Sequence, residues 1–238
     1  GSGAVNYVTT NIDVYAKGAG LTADSYLSSD ANPAATKGTL TISATNNAKV
    51  RADAGGFAIG LSKAATGAGV SGSVAVGASV AKNEVGGASQ GMRVYAENST
   101  LVADNIVTIQ ATNNMSIEAL GMGGALAGSF GTEVTGAGAG AGASSTNSVD
   151  FDVQAYVTQD SVITSGDDLT SGRSVLISAT DNTTVNADAG GISIAIAKSM
   201  TGAAGGLSIG ASMAENTLTT NVAAYADGSR ITTSSDIV

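Results

Sequence analysis

Along most of the chain, large apolar residues alternate with small or polar ones at a period of two. Leu40, Ile42 and Ala44 alternate with Thr41 and Ser43, and Val107, Ile109 and Ala111 follow the same rule, as do Val175, Ile177 and Ala179. Successive side chains on a strand point to opposite faces, so this spacing predicts strands. Val, Ile and Thr dominate these runs, and β-branched residues suit a pleated, half-buried surface. No apolar stripe at helical spacing runs beyond two turns, and Gly and β-branched residues form helices poorly.

A second kind of strand fills the middle of each unit. Phe57, Ile59 and Leu61 alternate with Ala58, Gly60 and Ser62, and Ile192, Ile194 and Ile196 with Ser193, Ala195 and Ala197. Val74, Val76 and Val80 alternate with Ala75, Gly77, Ser79 and Ala81. One face is bulky and apolar; the other is nearly bare. Glycine inside a strand marks close approach of another backbone, so the bare face is expected to pack tightly on a neighbouring layer. Only Thr135–Ala143, where Gly and Ala alternate without a large residue, also fits a flexible linker.

The pattern recurs about every 67 residues. Ala44-Thr45-Asn46-Asn47 returns as Ala111-Thr112-Asn113-Asn114 and as Ala179-Thr180-Asp181-Asn182. Asn6–Ala16 matches Asn216–Ala226, with looser copies at Asn83–Tyr95 and Asn147–Tyr156. Residues 1–3 read as a cloning scar, 4–39 as the tail of a preceding repeat, 40–106 and 107–174 as complete repeats, and 175–238 as a nearly complete one. The chain is thus expected to be a fragment of a longer array. The predicted fold is all-β, an elongated parallel β-solenoid (β-helix) built from these repeats. Each unit divides into three rungs of roughly 22 residues, and eleven or so rungs would span roughly 50 Å. The competing architecture is an antiparallel sandwich or meander, with turns at Thr66–Gly69 and Gly86-Gly87.

Composition narrows the function. The 238 residues hold 33 Gly, one Pro, no Cys, no His and no Trp, with a net charge of −9. Such an acidic chain without a basic cluster suits neither nucleic acid nor anionic membranes. The uncharged stretch from Ala64 to Ala81 is too rich in small residues for a spanning helix, so no membrane span is expected. Without Cys or His, Ser-His-Asp and Cys-His arrangements are excluded, and zinc, copper and haem lack their usual ligands. P-loop and Rossmann signatures are missing. The expectation is therefore no enzyme, no catalytic residue and no cofactor, although an Asp-rich loop could hold calcium.

Three features remain as candidate chemistry. Asp150 and Asp152 share one strand face, and Asp167 and Asp168 are adjacent; in an acidic chain such pairs are usually solvated charges. Tyr15, Tyr95, Tyr156 and Tyr225 hold one position in the repeat, which favours a structural role over sugar stacking. Asn83, Asn147 and Asn216 suit turn or ladder roles. The repeats disagree most at one corner: Thr22–Gly38 holds Asp24, Tyr26 and Pro33, and Thr164–Ser174 holds Asp167, Asp168 and Arg173. Per-repeat insertions map to loops on one face, often the binding face, so these are the candidate partner-contact residues.

The alternating Val/Ile/Ala strands, the runs Ala54-Gly55-Gly56 and Ala189-Gly190-Gly191, elements such as Asn83-Glu84-Val85, and Val222-Ala223-Ala224-Tyr225 resemble the repeat arrays of giant bacterial surface adhesins. Those arrays are broadly similar to filamentous-haemagglutinin-like β-helix proteins. The resemblance covers the chain from Ala4 onward and rests on repeat style. It implies a secreted or cell-surface, non-enzymatic stalk with a structural or adhesive role, stacked on neighbouring repeats and touching a host-cell or environmental ligand such as a glycan. The alternative is a carbohydrate-active enzyme or glycan-binding module on a β-helix scaffold.

Overall fold

The computed structural model describes residues 1–23, 38–64, 69–166, 173–233 and 236–237, excluding the side chains of Arg173, Ser174 and Asp236. Among the described residues the regular elements are all strands. In chain order they are β1 (Ser2–Val8), β2 (Asn11–Lys17), β3 (Gly20–Ala23), β4 (Leu40–Asn46), β5 (Lys49–Lys63), β6 (Val70–Glu97), β7 (Thr100–Ala103), β8 (Val107–Asn113) and β9 (Ser116–Gly131). Then follow β10 (Val134–Thr158), β11 (Val162–Ser165), β12 (Arg173–Asp181), β13 (Thr184–Ser199), β14 (Ala204–Thr219), β15 (Val222–Ala226), β16 (Arg230–Thr233) and β17 (Asp236–Ile237).

The chain visits four sheets in a fixed cyclic order. The first contains β1, β2, β6, β10, β14 and β15; the second β3, β7, β11 and β16; the third β4, β8, β12 and β17; the fourth β5, β9 and β13. Every strand pair is parallel. The antiparallel alternative is therefore set aside. Gly86-Gly87 closes no hairpin; it lies inside β6 at a register shift opposite Asp150 and Asp152. Thr135–Ala143 is no linker either, since it pairs with β6 on one side and β14 on the other.

Pairing partners lie one whole repeat apart, which corrects the expected layout. Asn46 meets Asn113 across 67 residues, and Asn113 meets Asp181 across 68. Each repeat thus makes one pass around the four sheets, not three rungs of roughly 22. The strands are simply longer than a short-rung reading assumes: β6 has 28 residues and β10 has 25. One pass advances the stack by a single strand spacing, about 4.8 Å, so the described chain is broad and only a few strands deep.

Two kinds of interior result. The inner faces of the second and third sheets, with the adjoining halves of the other two, enclose a conventional core of Met92, Val94, Leu101, Ile109, Ile117 and Phe151, each 0% exposed. Beyond it, the second halves of β5, β9 and β13 lie on the first halves of β6, β10 and β14 as a two-layer slab. Its interior is Ala75, Ala125, Ala127, Ala137, Ala139 and Ala141, with glycine between. The bare strand faces pack against each other, as their sequence predicts. The approach is backbone on backbone: a Cβ on Gly77 would stand 1.8 Å from the carbonyl oxygen of Gly124.

Asparagine ladders seal the boundary between core and slab. The Asn6 amide donates to Asn83 Oδ1 at 2.8 Å, Asn83 to Asn147 at 2.8 Å, and Asn147 to Asn216 at 2.9 Å. The same amides cross to the opposite sheet, Asn83 to the Glu118 carbonyl and Asn147 to the Asn186 carbonyl, both at 2.6 Å. This is the ladder role expected of Asn83, Asn147 and Asn216. A second ladder explains the repeated Ala-Thr-Asn-Asn: Asn182 donates to Asn114, and Asn114 to Asn47. Asn147→Leu keeps the branched shape but removes the acceptor of one Asn83 N–H and the donor to the Asn186 carbonyl and to Asn216 Oδ1. Unsatisfied buried groups cost about 1–3 kcal/mol each, so a loss of about 2 kcal/mol in urea denaturation is expected.

Candidate functional site

The outer face of the first sheet, on the core side of the ladder, carries the most organised chemistry. Alternation turns Val14, Val94 and Ala155 inward to the core and leaves Tyr15, Tyr95, Tyr156 and Tyr225 outward. Parallel register then sets the four rings one above another. Their centroids are 5.2, 4.9 and 5.1 Å apart and their planes nearly parallel. On either side run charges paired between β2 and β6. Arg93 reaches Asp13 at 3.4 Å, and Lys17 reaches Glu97 at 2.9 Å. Solvent-exposed pairs of this kind contribute little to stability.

Beside the ladder, β6 bulges. Gly86 has φ of 84° and Gly87 of 141°, and a Cβ on Gly86 would collide with the Asp150 carbonyl. Glycine is required there both for the left-handed turn and for the contact. The bulge brings Ser89 and Gln90 over Arg93, Asp152 and Gln154, which line a hollow of about 190 Å³. The Arg93 guanidinium donates to the Ser89 carbonyl at 3.2 Å. Asp150 and Asp152 do share an outward face, with Phe151 between them fully buried. Among the described residues no three His, Cys, Asp or Glu side chains converge as a metal would require.

The stacking geometry decides what the tyrosines can do. A sugar ring binds to an aromatic face. In the ladder those faces are turned on neighbouring rings, and only the outer faces of Tyr15 and Tyr225 remain. Burial holds the Tyr156 hydroxyl's proton to higher pH than the usual 10.0, with the neighbouring rings Tyr95 and Tyr225 adding to the effect. Burial does the same at Tyr95, helped by Asp13. The unfolded chain therefore loses these protons first, and stability falls as pH rises above 10. Urea midpoints measured from pH 9 upward should decline, and Tyr156→Phe should flatten the decline.

The partner-contact residues expected from loop-length variation fall elsewhere. Asp24, Tyr26, Asp167 and Asp168 lie outside the described residues, and Arg173 opens β12 with its side chain likewise outside them. The described ends of both segments join the second sheet to the third, where β7 and β8 are joined by Asp104, Asn105 and Ile106 alone. The length variation is thus at one corner of the architecture. The bulge at Gly86–Gln90 and the pairs Arg93–Asp13 and Lys17–Glu97 emerge from the structure alone. The glycine pair was the available signal for the bulge, and the shared register of Asp13 with Arg93 emerges only once β2 is known to pair with β6.

No protein-family model, curated protein or solved structure matches this chain.

Proposed function

We propose that the chain is a length of an elongated parallel β-solenoid, built from repeats of about 67 residues, that serves as a non-enzymatic structural and adhesive stalk. It would belong to a large repetitive bacterial protein displayed at the cell surface or secreted. One observation carries the reading: each repeat adds to every sheet a parallel strand that pairs with its counterpart in the preceding repeat, β14 and β15 together answering the long β10. Such a unit buries its faces only against its neighbours, so its natural use is extension. Variable connections between the second and third sheets then supply ligand contact, to a host-cell or environmental surface such as a glycan, without disturbing the stack.

The test joins binding and turnover. The chain is offered to a panel of immobilised polysaccharides and cell surfaces, alongside a variant whose residues 24–37 are cut to the length of the β7–β8 connection. Retained binding by the parent, loss in the shortened variant and no release of reducing ends are expected. Release of reducing ends would overturn the non-enzymatic reading. Unchanged binding by a stably folded shortened variant would remove the loops from it.

A further inference from the structure

The slab wears its large residues on the outside. Val74 is 74% exposed, Leu61 70% and Leu207 65%. On one face Phe57, Ile59 and Leu61 of β5 lie in register with Ile192, Ile194 and Ile196 of β13 through the strand between them. On the other, Val74 and Val76 of β6 flank, across the glycines of β10, Leu207 and Ile209 of β14. Contiguous apolar patches of this extent mark an interaction surface. Here two of them sit back to back on one thin body.

Charge appears only where these bands stop. Asp53 and Asp188 share a rank at the base of the first face, and Lys63 and Lys198 share a rank at its tip. On the second face Lys82 and Glu215 share the basal rank, and Glu133 lies at the tip. At the rise of a strand, Asp53 and Lys63 are about 33 Å apart along β5. The hydrocarbon core of a bilayer is about 30 Å thick, and a spanning strand needs about 9–11 residues.

We infer that the slab is a lipid-inserted element whose two outer faces both contact the hydrocarbon of a bilayer, with the charged ranks at its two surfaces. A second copy of the chain is the competing occupant, but a closed dimer covers one face of each copy and leaves the other in water. Lipid covers both at once. The interior of the slab is mainly alanine and glycine, with the buried hydroxyls of Ser73, Ser79 and Thr135 among them, and the backbone groups of inner strands pair across the sheets. β5 and β13 in one layer and β6 and β14 in the other each keep one open edge, a cost that lipid does not relieve and that further repeats stacked on either side would remove. That Ala64–Ala81 is unsuited to a spanning helix does not bear on strands, and among the described residues no helix could cross a membrane. The inference stands apart from the adhesive reading, since the loops proposed for ligand contact play no part in it.

The chain has no tryptophan, so single tryptophans report depth without background. Val76→Trp and Ile194→Trp sit mid-band on opposite faces, and Gln154→Trp lies on the polar face outside the slab. Each variant of the 238-residue chain is mixed with zwitterionic phosphatidylcholine vesicles, with or without brominated acyl chains, and floated on a density gradient. The account expects the protein to float and both mid-band tryptophans to be quenched several-fold more than Gln154→Trp. Val76→Asp combined with Ile194→Asp should abolish flotation while circular dichroism stays β-rich. Protein that remains in the aqueous fraction, as monomer or as self-assembled oligomer, overturns the inference. So does quenching confined to one face, which would describe a slab lying flat on the surface.

Discussion

Gly77→Ala should destabilise the protein by about 3 kcal/mol or more, while Gly142→Ala should be silent or slightly stabilising. Both glycines lie in long strands of the same sheet, and the chemical change is one methyl group in each. They differ in the face they occupy. Gly77 points into the slab, where an added Cβ would lie 1.8 Å from the Gly124 carbonyl oxygen and 2.8 Å from its carbon. Backbone atoms held in a sheet cannot step aside, so the two layers must separate and the alanine interior with them. Gly142 points outward, and an added Cβ there meets nothing within 4 Å. Restricting the unfolded chain then favours the folded one by about 0.4–1 kcal/mol. Urea denaturation of both variants checks the pair. Equal effects would mean that the bare faces are not in contact.

Phe151→Ala should cost about 3–5 kcal/mol, the usual range for emptying a buried aromatic site. Phe151 is 0% exposed and belongs to the main core. It also sits at the one register shift between β6 and β10, where Asp150 pairs with Gly86 and Asp152 with Gly91. The bulge on β6 leaves Phe151 without a directly paired neighbour, and the ring supplies the packing there. Collapse around an empty site is hindered where the ladder is already interrupted. Phe151→Leu should retain more of the stability, because leucine leaves a smaller cavity than alanine does. Thermal unfolding followed in the far ultraviolet separates the two variants.

Much of this fold is written in the alternation of residues, and the exceptions have physical causes. Leu40, Ile42 and Ala44 identify their strand without help, because one face is buried and the other is not. The repeat of Ala-Thr-Asn-Asn predicts stacking, and the stacked asparagines are what the repeat is for. The size of one rung was not legible. Strands such as β6 and β10 outrun the usual five or six residues, and their internal glycines read equally as corners or as points of contact. The contact between the bare faces was legible, because glycine inside a strand marks close approach of another backbone. That the bulky faces would be left on the outside was not, since their alternation reads equally as a buried face. The tyrosines at Tyr15, Tyr95, Tyr156 and Tyr225 could be matched by position, but their face-to-face stacking follows only from parallel register.

The central claim is that each repeat forms one pass, so that Thr45, Thr112 and Thr180 are consecutive neighbours across the third sheet. The chain has no cysteine, and all three threonines face outward. Cysteines placed there in pairs can carry spin labels, and continuous-wave electron paramagnetic resonance then reads their separation. The account predicts strong dipolar broadening for Thr45 with Thr112 and for Thr112 with Thr180, whose backbones are about 4.8 Å apart, and weaker broadening for Thr45 with Thr180 at about twice that. If three short rungs separated successive repeats, Thr45 and Thr112 would stand roughly 14 Å apart. Broadening of that pair only as weak as a separation of roughly 14 Å gives would contradict the account.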